Sequence, residues 1–380
     1  MTVKDHLSAI ILAAGFSRRM GRFKPLLPLG PTTLVGRVVA LYRAAGIEDV
    51  CVVAGHQADE LQAALAPLGV RCIVNRGYAQ GMFSSLTAGV AALPSDVRGF
   101  FVHPVDVPLV RPSTLAALVA AFGQSTARVL HPCFDGRRGH PPLVSAELAP
   151  AILAWSGEGG LRAFWEQGGE SAQEVPVADE AILLDVDTAE AYQRLVARLQ
   201  SEDVPSADAC RVLMTQVARV PDAVWRHCRA VAAVAEALVA ALNRAGAALD
   251  LDVVRAAGLL HDIAKTRADH AAAGAAMLAA LGYPRVAAAV AAHMDLDTAP
   301  DRPLDEAQLV FLADKLLEGE RLEGLAARQA RKLAKYGQDA PARAAIARRF
   351  EIAGCIAAKV ERVTGRRLAE VLAERPGRQE

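Results

Sequence analysis

The stretch Leu7-Ser8-Ala9-Ile10-Ile11-Leu12-Ala13-Ala14-Gly15-Phe16-Ser17-Arg18-Arg19-Met20-Gly21-Arg22-Phe23-Lys24-Pro25 runs from apolar residues into small ones and then into a group of cations. Residues 7–12 read as a strand. The small side chains at 13 to 15 let the backbone approach a bound group, so that main-chain N–H groups can point at phosphate oxygens. Arg18, Arg19, Arg22 and Lys24 then supply positive charge where a triphosphate would lie. Neither G-x-x-x-x-G-K-[ST] nor G-x-G-x-x-G is present. On residue chemistry alone the stretch reads equally as a phosphate loop or as a glycine turn beside a basic surface.

Outward from that strand the same texture continues. Residues 50–54, 71–75 and 99–103 read as further strands, with helices at 34–45, 58–66 and 84–93 between them. Strands alternating with helices predict an α/β, Rossmann-like domain with a mostly parallel sheet. From about residue 206 the chain turns to long alanine- and leucine-rich stretches of helical periodicity with no convincing strand, an all-α domain. The join, Gln200-Ser201-Glu202-Asp203-Val204-Pro205-Ser206, is polar and holds a proline, as a linker should. The expected domains are therefore 1–200 and 206–375. A length of 380 residues fits two domains, each with its own core.

Composition excludes several classes. With 53% apolar and 22% charged residues the chain is globular, and 42 basic against 42 acidic side chains leave no overall field for nucleic acid or an anionic membrane. The six cysteines form no C-x-x-C pair and read as reduced core thiols in a cytoplasmic protein. Around the first apolar run an acid precedes and arginines follow, the reverse of a secretory signal. The apolar run 271–292 is mostly alanine, interrupted by Gly282 and Pro284, so no membrane span is expected. Residues 320–380 carry 14 basic and 8 acidic side chains, read as a solvated helix surface in preference to a phosphate-attracting tail. Trp225 and Tyr283 read as helix-packing residues, and His6, His56, His103 and His131 as structural.

Positions 12–28 (L-A-A-G-F-S-R-R-M-G-R-F-K-P-L-L-P) resemble the signature of the molybdopterin nucleotidyltransferase-like family. Further matching segments follow in order: Asn75-Arg76-Gly77-Tyr78-Ala79-Gln80-Gly81-Met82-Phe83-Ser84-Ser85-Leu86, Pro104-Val105-Asp106-Val107-Pro108, Gly139-His140-Pro141 and Asp185-Val186-Asp187-Thr188-Ala189-Glu190. Within that family the A-A-G loop and the Y-A-Q-G-M segment are closer to members that cytidylylate the molybdenum cofactor. The resemblance implies CTP and a molybdopterin-type cofactor as substrates, Mg²⁺ on Asp106 and Asp187, and phosphate contacts from Lys24 and Arg18 or Arg19. It also implies that Leu12, Ala13, Ala14, Gly15, Ser17, Gln80, Ser84, Ser85 and His140 line the binding site, and it leaves room for a molybdoenzyme or its insertion chaperone as a partner. One departure is that His103-Pro104-Val105 precedes Asp106 where the family usually has glycine. The alternative is transfer to a sugar phosphate or another phosphorylated acceptor, with the helical domain a regulatory nucleotide-binding module.

In the helical half, His227, His261-Asp262 and Asp314 fall on or at the ends of predicted helices. Imidazole and carboxylate groups converging from three helices suit a first-row divalent metal with positions left open. A lone His-Asp pair arises often by chance; four positions in order within one domain length do not. The pattern resembles the HD phosphohydrolase superfamily, and His261-Asp262-Ile263-Ala264-Lys265 is close to its H-D-I-G-K variant. That resemblance implies Mn²⁺ or Fe²⁺ on His227, His261, Asp262 and Asp314, with His270 and His293 as ligands of a second ion. Lys265 would stabilise charge during hydrolysis of a small phosphate ester or nucleotide.

Overall fold

Strand β1 (Leu7–Ala13) is buried along its whole length, as expected of a central strand paired on both edges and covered by helices on both faces. The computed structural model describes residues 6–168, 172–296 and 303–374. The chain divides into two units, Met1–Ser201 and Glu202–Glu380.

In the first unit β1 is followed by the hairpin β2 (Pro28–Leu29) and β3 (Thr32–Thr33), then α1 (Leu34–Ala44), β4 (Asp49–Ala54), α2 (Ala58–Leu65), β5 (Arg71–Val74), α3 (Met82–Ala91), β6 (Gly99–Pro104) and α4 (Pro112–Phe122). β7 (Val129–Phe134), β8 (Arg137–Arg138), β9 (Leu143–Ser145), α5 (Ala149–Ala154), α6 (Gly160–Gly168), β10 (Ala172–Pro176) and α7 (Ala189–Gln200) complete it. The main sheet has the order β10-β7-β9-β6-β1-β4-β5, with β8 paired to β7. β1 runs parallel to β4 and β6, and β9 runs antiparallel between β6 and β7. The expected mostly parallel sheet is present, with this antiparallel insert in it.

The sheet grows from β1 through β4 to β5 on one side and restarts with β6 on the other. The strand order therefore reverses between β1 and β6, and a crevice opens beyond their carboxyl ends, where ligands bind in such sheets. Behind it, Ile10, Leu12, Phe83, Leu86, Phe100 and Val102 share one apolar cluster. Leu27, Leu29, Leu34, Val186 and Leu195 form a second, under the β2–β3 hairpin and α7. Thr33 and Thr188 cap α1 and α7 by accepting the Gly36 and Ala191 N–H groups at 3.2 Å, each worth about 1 kcal/mol.

The second unit holds α8 (Ala207–Val212), which runs into a π-helical turn, Leu213–Val217, then α9 (Asp222–Arg244), α10 (Leu251–Leu260), α11 (His270–Ala280), α12 (Pro284–Ala292) and α13 (Glu306–Leu316). A hairpin, β11 (Leu317–Glu318) and β12 (Arg321–Leu322), precedes α14 (Leu325–Tyr336), α15 (Ala340–Thr364) and α16 (Leu368–Ala373). The unit is helical as expected, apart from that short hairpin; two residues per strand leave no alternation to read. α10 lies so close to α9 that a Cβ at Gly258 would come within 2.7 Å of the Ala232 Cα. The apolar run 271–292 divides into α11 and α12, and among the described residues no helix is long and apolar enough to cross a membrane. All six cysteines are free thiols; Cys51, Cys133, Cys210 and Cys228 are core, whereas Cys72 is half-buried and Cys355 exposed, against expectation. Tyr283 is buried and Trp225 half-buried.

Candidate active sites

At the end of β1 the chain enters a cleft of about 370 Å³ lined by Leu12, Ala13, Ala14, Gly15 and Ser17 on one side and by Pro104, Val105 and Asp106 on the other. Gly15 faces open space: nothing lies within 4 Å of where its Cβ would be. Ser17 takes a left-handed backbone (φ 52°), uncommon for a residue with a side chain. Its Oγ accepts the Lys24 N–H at 3.1 Å, which folds the basic segment back onto the loop. Lys24 lines the same cleft.

Asp106 lines this cleft, and Asp187, distant in sequence and outside the lining, meets it through Lys24. Val186 is fully buried in the second apolar cluster, and its N–H donates to the Asp106 carbonyl oxygen at 2.9 Å. That bond brings the Asp185-Val186-Asp187 turn alongside the end of β6. Lys24 Nζ lies 2.7 Å from Asp187 Oδ1 and 3.4 Å from Asp106 Oδ2, and Arg19 reaches Asp187 Oδ2 at 2.7 Å. Burial pushes the Asp106 carboxyl up against the pull of Lys24, while the Lys24 hydrogen bond draws the Asp187 carboxyl below its ordinary value. Two carboxylates bridged by a lysine ammonium make a donor set of hard oxygens suited to a small divalent cation.

Other expected residues lie differently. Ser85 is buried and lines the cleft. Ser84 Oγ donates to the Gly77 and Gly81 carbonyl oxygens and accepts from Asn75 Nδ2 at 2.9 Å, an internal network that keeps it out of the lining. Gln80 is exposed and not part of the lining, nor are Arg18 and His140. Arg18 stacks its guanidinium over Phe16 at 4.5 Å. Phe16, Tyr78 and Met82 do line the cleft, although nothing in their spacing set them apart from the residues around them. His103 is fully buried between the Tyr42 hydroxyl and the Val107 carbonyl, each at 2.9 Å, so it is structural as expected.

In the second unit α10 ends at His261 and Asp262. His261 Nδ1 donates to the Gly258 carbonyl at 2.9 Å, His293 Nδ1 to that of Val290 at 2.6 Å, and His227 Nδ1 to that of Gly319 in the hairpin at 2.8 Å. A carbonyl can only accept, so each Nδ1 carries hydrogen and each Nε2 is the face left for a ligand. The Nε2 atoms of His261, His270 and His293 converge around Asp262. His261 Nε2 lies 3.6 Å from Asp262 Oδ2, while His270 and His293 Nε2 lie 3.4 and 3.6 Å from Oδ1. Two sets of donors, each within one ion's reach, share Asp262: His227, His261, Asp262 and Asp262, His270, His293. Asp314 Oδ1 approaches His227 Nε2 at 3.2 Å.

Among the described residues His261 Nε2 is buried with no hydrogen-bond partner. A buried lone pair without a partner is costly in a dry protein and fitting for a metal ligand. Burial pushes His261 down to about 4, so it is neutral. Asp262 stays ionised because His293, His261 and Lys265 outweigh its burial. Lys315, Arg328 and His227 do the same for Asp314, Arg328 also donating to the Asp314 backbone carbonyl. Lys265 Nζ sits 2.9 Å from Asp262 Oδ2. A cleft of about 590 Å³ opens over the cluster, and Arg328, Lys332 and Arg349 line it. The basic segment after residue 320 is thus in part a cleft wall, which corrects the solvated-surface expectation.

Comparison with known proteins fits these two sites. A family model described as the MobA-like NTP transferase domain matches residues 9–175, and one described as the HD domain matches residues 224–319. The chain is 32% identical over 203 residues to nicotine blue oxidoreductase of Paenarthrobacter nicotinovorans, covering 50% of this chain and 96% of that one. It is 29% identical over 185 residues to molybdenum cofactor cytidylyltransferase of Escherichia coli strain K12, covering 48% and 91%. A crystal structure from Mycobacterium sp. strain JC1, a homologue of a Mycobacterium tuberculosis protein, is 29% identical, covering 53% of this chain and all of that one at a TM-score of 0.47. The chain is an enzyme that belongs to the MobA-like NTP transferase family and carries an HD domain in its second unit.

Proposed function

We propose that the first unit transfers CMP from CTP to a molybdopterin-type cofactor and releases pyrophosphate. The observation that carries this reading is Lys24 held between Asp106 and Asp187 at the cleft that ends β1. The attacking phosphate is already ionised, so the site needs no general base; it needs positive charge to let two anions meet. Lys24 with Arg18 or Arg19 provides that charge beside the departing β- and γ-phosphates. Magnesium on Asp106 and Asp187 would supply Lewis-acid neutralisation at the transferred phosphorus. The choice of CTP rests on the A-A-G loop and on the likeness to a cytidylyltransferase.

A second reading comes from the likeness to an oxidoreductase, which spans nearly all of that relative. The paired carboxylates favour transfer over redox chemistry. One assay separates the two, and the sugar-phosphate alternative with them. Each nucleoside triphosphate is offered with Mg²⁺ and molybdopterin, or with sugar phosphates, while pyrophosphate release is followed; reduced nicotinamide is offered in parallel. Pyrophosphate from CTP with molybdopterin supports the proposal. Turnover with a sugar phosphate alone, or nicotinamide oxidation without pyrophosphate, overturns it.

The second unit we read as a metal-dependent phosphohydrolase acting on a small phosphate ester or nucleotide. His227, His261, Asp262 and Asp314, with His270 and His293, would hold Mn²⁺ or Fe²⁺, and the unpartnered His261 Nε2 carries this reading. The metal would supply activation of the attacking water. Lys265 is placed to offset negative charge as the ester P–O bond breaks and the alcohol leaves. Phosphate release that persists in His261→Ala would refute it.

A further inference from the structure

Helices α14 and α15 lie beyond residues 224–319, where the HD family model matches, yet they wall the second unit's cleft. α14 contributes Lys332 and Tyr336, four residues apart and so on one helix face; α15 contributes Ile346, Arg349 and Phe350 at the spacing of a single face. His227, Asp262 and Asp314 line the same cleft. Its volume of about 590 Å³ is in the range of sites that enclose a ligand well beyond one phosphate group.

The chemistry of this wall is divided. Arg349 is held by Asp295 through two bonds at 3.1 and 3.2 Å, and Arg328 by Asp314 and Glu318. Lys332 forms no ion pair among the described residues; its ammonium sits 5.8 Å from the Tyr336 ring centroid, with Lys335 at 5.0 Å. Tyr336 is 46% exposed, an aromatic face left open at the edge of a cleft and flanked by cations. Phe350 and Ile346, four residues apart on α15, are both buried. An open ring beside an uncommitted cation suits a flat ring joined to an anion.

We propose that Tyr336 and Lys332, backed by Ile346 and Phe350, restrict the second unit to phosphate esters that carry a flat aromatic ring, a chemistry that nucleotides and pterin phosphates share. The proposal rests on the reading of the metal-ligating cluster as the place where the phosphate reacts. These side chains are specificity determinants for the rest of the molecule and do not touch the reacting atoms.

The test uses the full chain loaded with Mn²⁺ and compares 5′-nucleoside monophosphates, a pterin phosphate and ribose 5-phosphate. The ring-bearing esters are expected to exceed ribose 5-phosphate in kcat/KM by about tenfold. Tyr336→Ala removes most of that advantage through KM, and Tyr336→Phe retains it. The better of the nucleotide and the pterin phosphate identifies the source of the ring. Equal turnover with and without a ring overturns the proposal, as does a Tyr336→Ala defect equal for all esters. Equilibrium binding of the same compounds to wild-type and Tyr336→Ala chains has the first unit's site in common, so their difference reports the second unit. Binding that depends on Tyr336 without hydrolysis upholds the wall and sinks the phosphohydrolase reading; no difference in binding or in hydrolysis sinks the wall.

Discussion

His103 donates from Nε2 to the carbonyl oxygen of Val107 at 2.9 Å, closing a bridge across the turn that carries Asp106. Its Nδ1 accepts from the Tyr42 hydroxyl, so the ring is the neutral Nε2–H tautomer. The ring is thus a buried strap that holds the Asp106 turn from behind.

That strap makes the first unit acid-sensitive. Burial pushes His103 down to about 4, below the value of about 6.5 expected in the unfolded chain. A histidine with a depressed folded pKa binds more protons when unfolded, so its contribution is complete above pH 6.5 and is lost as the pH falls toward 4. The loss by pH 4.5 is about 2 to 3 kcal/mol. Replacing His103 with Phe should shrink the difference in thermal stability between pH 7 and pH 4.5. A part remains, since His131 is also pushed down to about 4. A variant as steeply acid-sensitive as the wild type would rule out His103 as the titrating group.

Lys24→Ala should separate two roles of one ammonium. At 2.7 and 3.4 Å it neutralises Asp187 and Asp106, and it stands where a divalent cation would compete for the same oxygens. Nucleotidyl transfer is expected to fall by about 100-fold, the scale seen when one charge-stabilising donor is removed. The Mg²⁺ concentration for half-maximal residual activity should fall at the same time. Pyrophosphate release measured across a Mg²⁺ titration checks both, and unchanged transfer would remove Lys24 from the site.

What the sequence made readable was residue type and order. Residues 7–12 announced a buried strand, and β1 extends one residue further. β8 and β9, two and three residues long, carry no period to read. Asp106 and Asp187 stood out as acids in turns, but the Val186 N–H that joins them to one cleft is a backbone bond with no signature in side-chain identity. The same holds for His227, His261 and His293, whose rings are oriented by backbone carbonyls. Ser84 was expected at the ligand, yet a hydroxyl can satisfy itself on nearby carbonyls, and this one does. Lys332 vanished into a net charge, because a sum over a segment does not say which helix face meets a cleft.

The shared position of Asp262 in both donor sets gives an ordered prediction for metal content. Wild-type chain loaded with Mn²⁺ and dialysed until the two-carboxylate pair of the first unit is emptied should retain about two ions per chain by elemental analysis. His270→Ala, which touches one set, should retain about one. Asp262→Ala should retain almost none, and folding is checked by circular dichroism in each case. Equal losses in His270→Ala and Asp262→Ala would contradict a bridging carboxylate.

Gly55 decides how closely the nucleotide loop can sit on its neighbour. A Cβ there would lie 2.7 Å from the Ala14 Cβ and 2.6 Å from the Tyr78 Cβ, closer than real methyl groups approach, while the His56 N–H donates to the Ala14 carbonyl at 3.2 Å and keeps the two segments together. Alanine at 55 must push either the loop or Tyr78 outward, and both line the cleft. The cost in stability is expected to be about 1 to 3 kcal/mol, typical of one methyl group forced into a packed site. The displacement should also raise the KM for the nucleoside triphosphate, because the Ala13-Ala14-Gly15 backbone no longer presents its N–H groups at the same depth. Gly324→Ala, at a position with open space and an ordinary backbone (φ −69°), is the control: it adds a methyl group without crowding or backbone strain. A Gly55→Ala chain that matches this control in both melting temperature and KM would show that the close approach of residues 14, 55 and 78 does not shape the site.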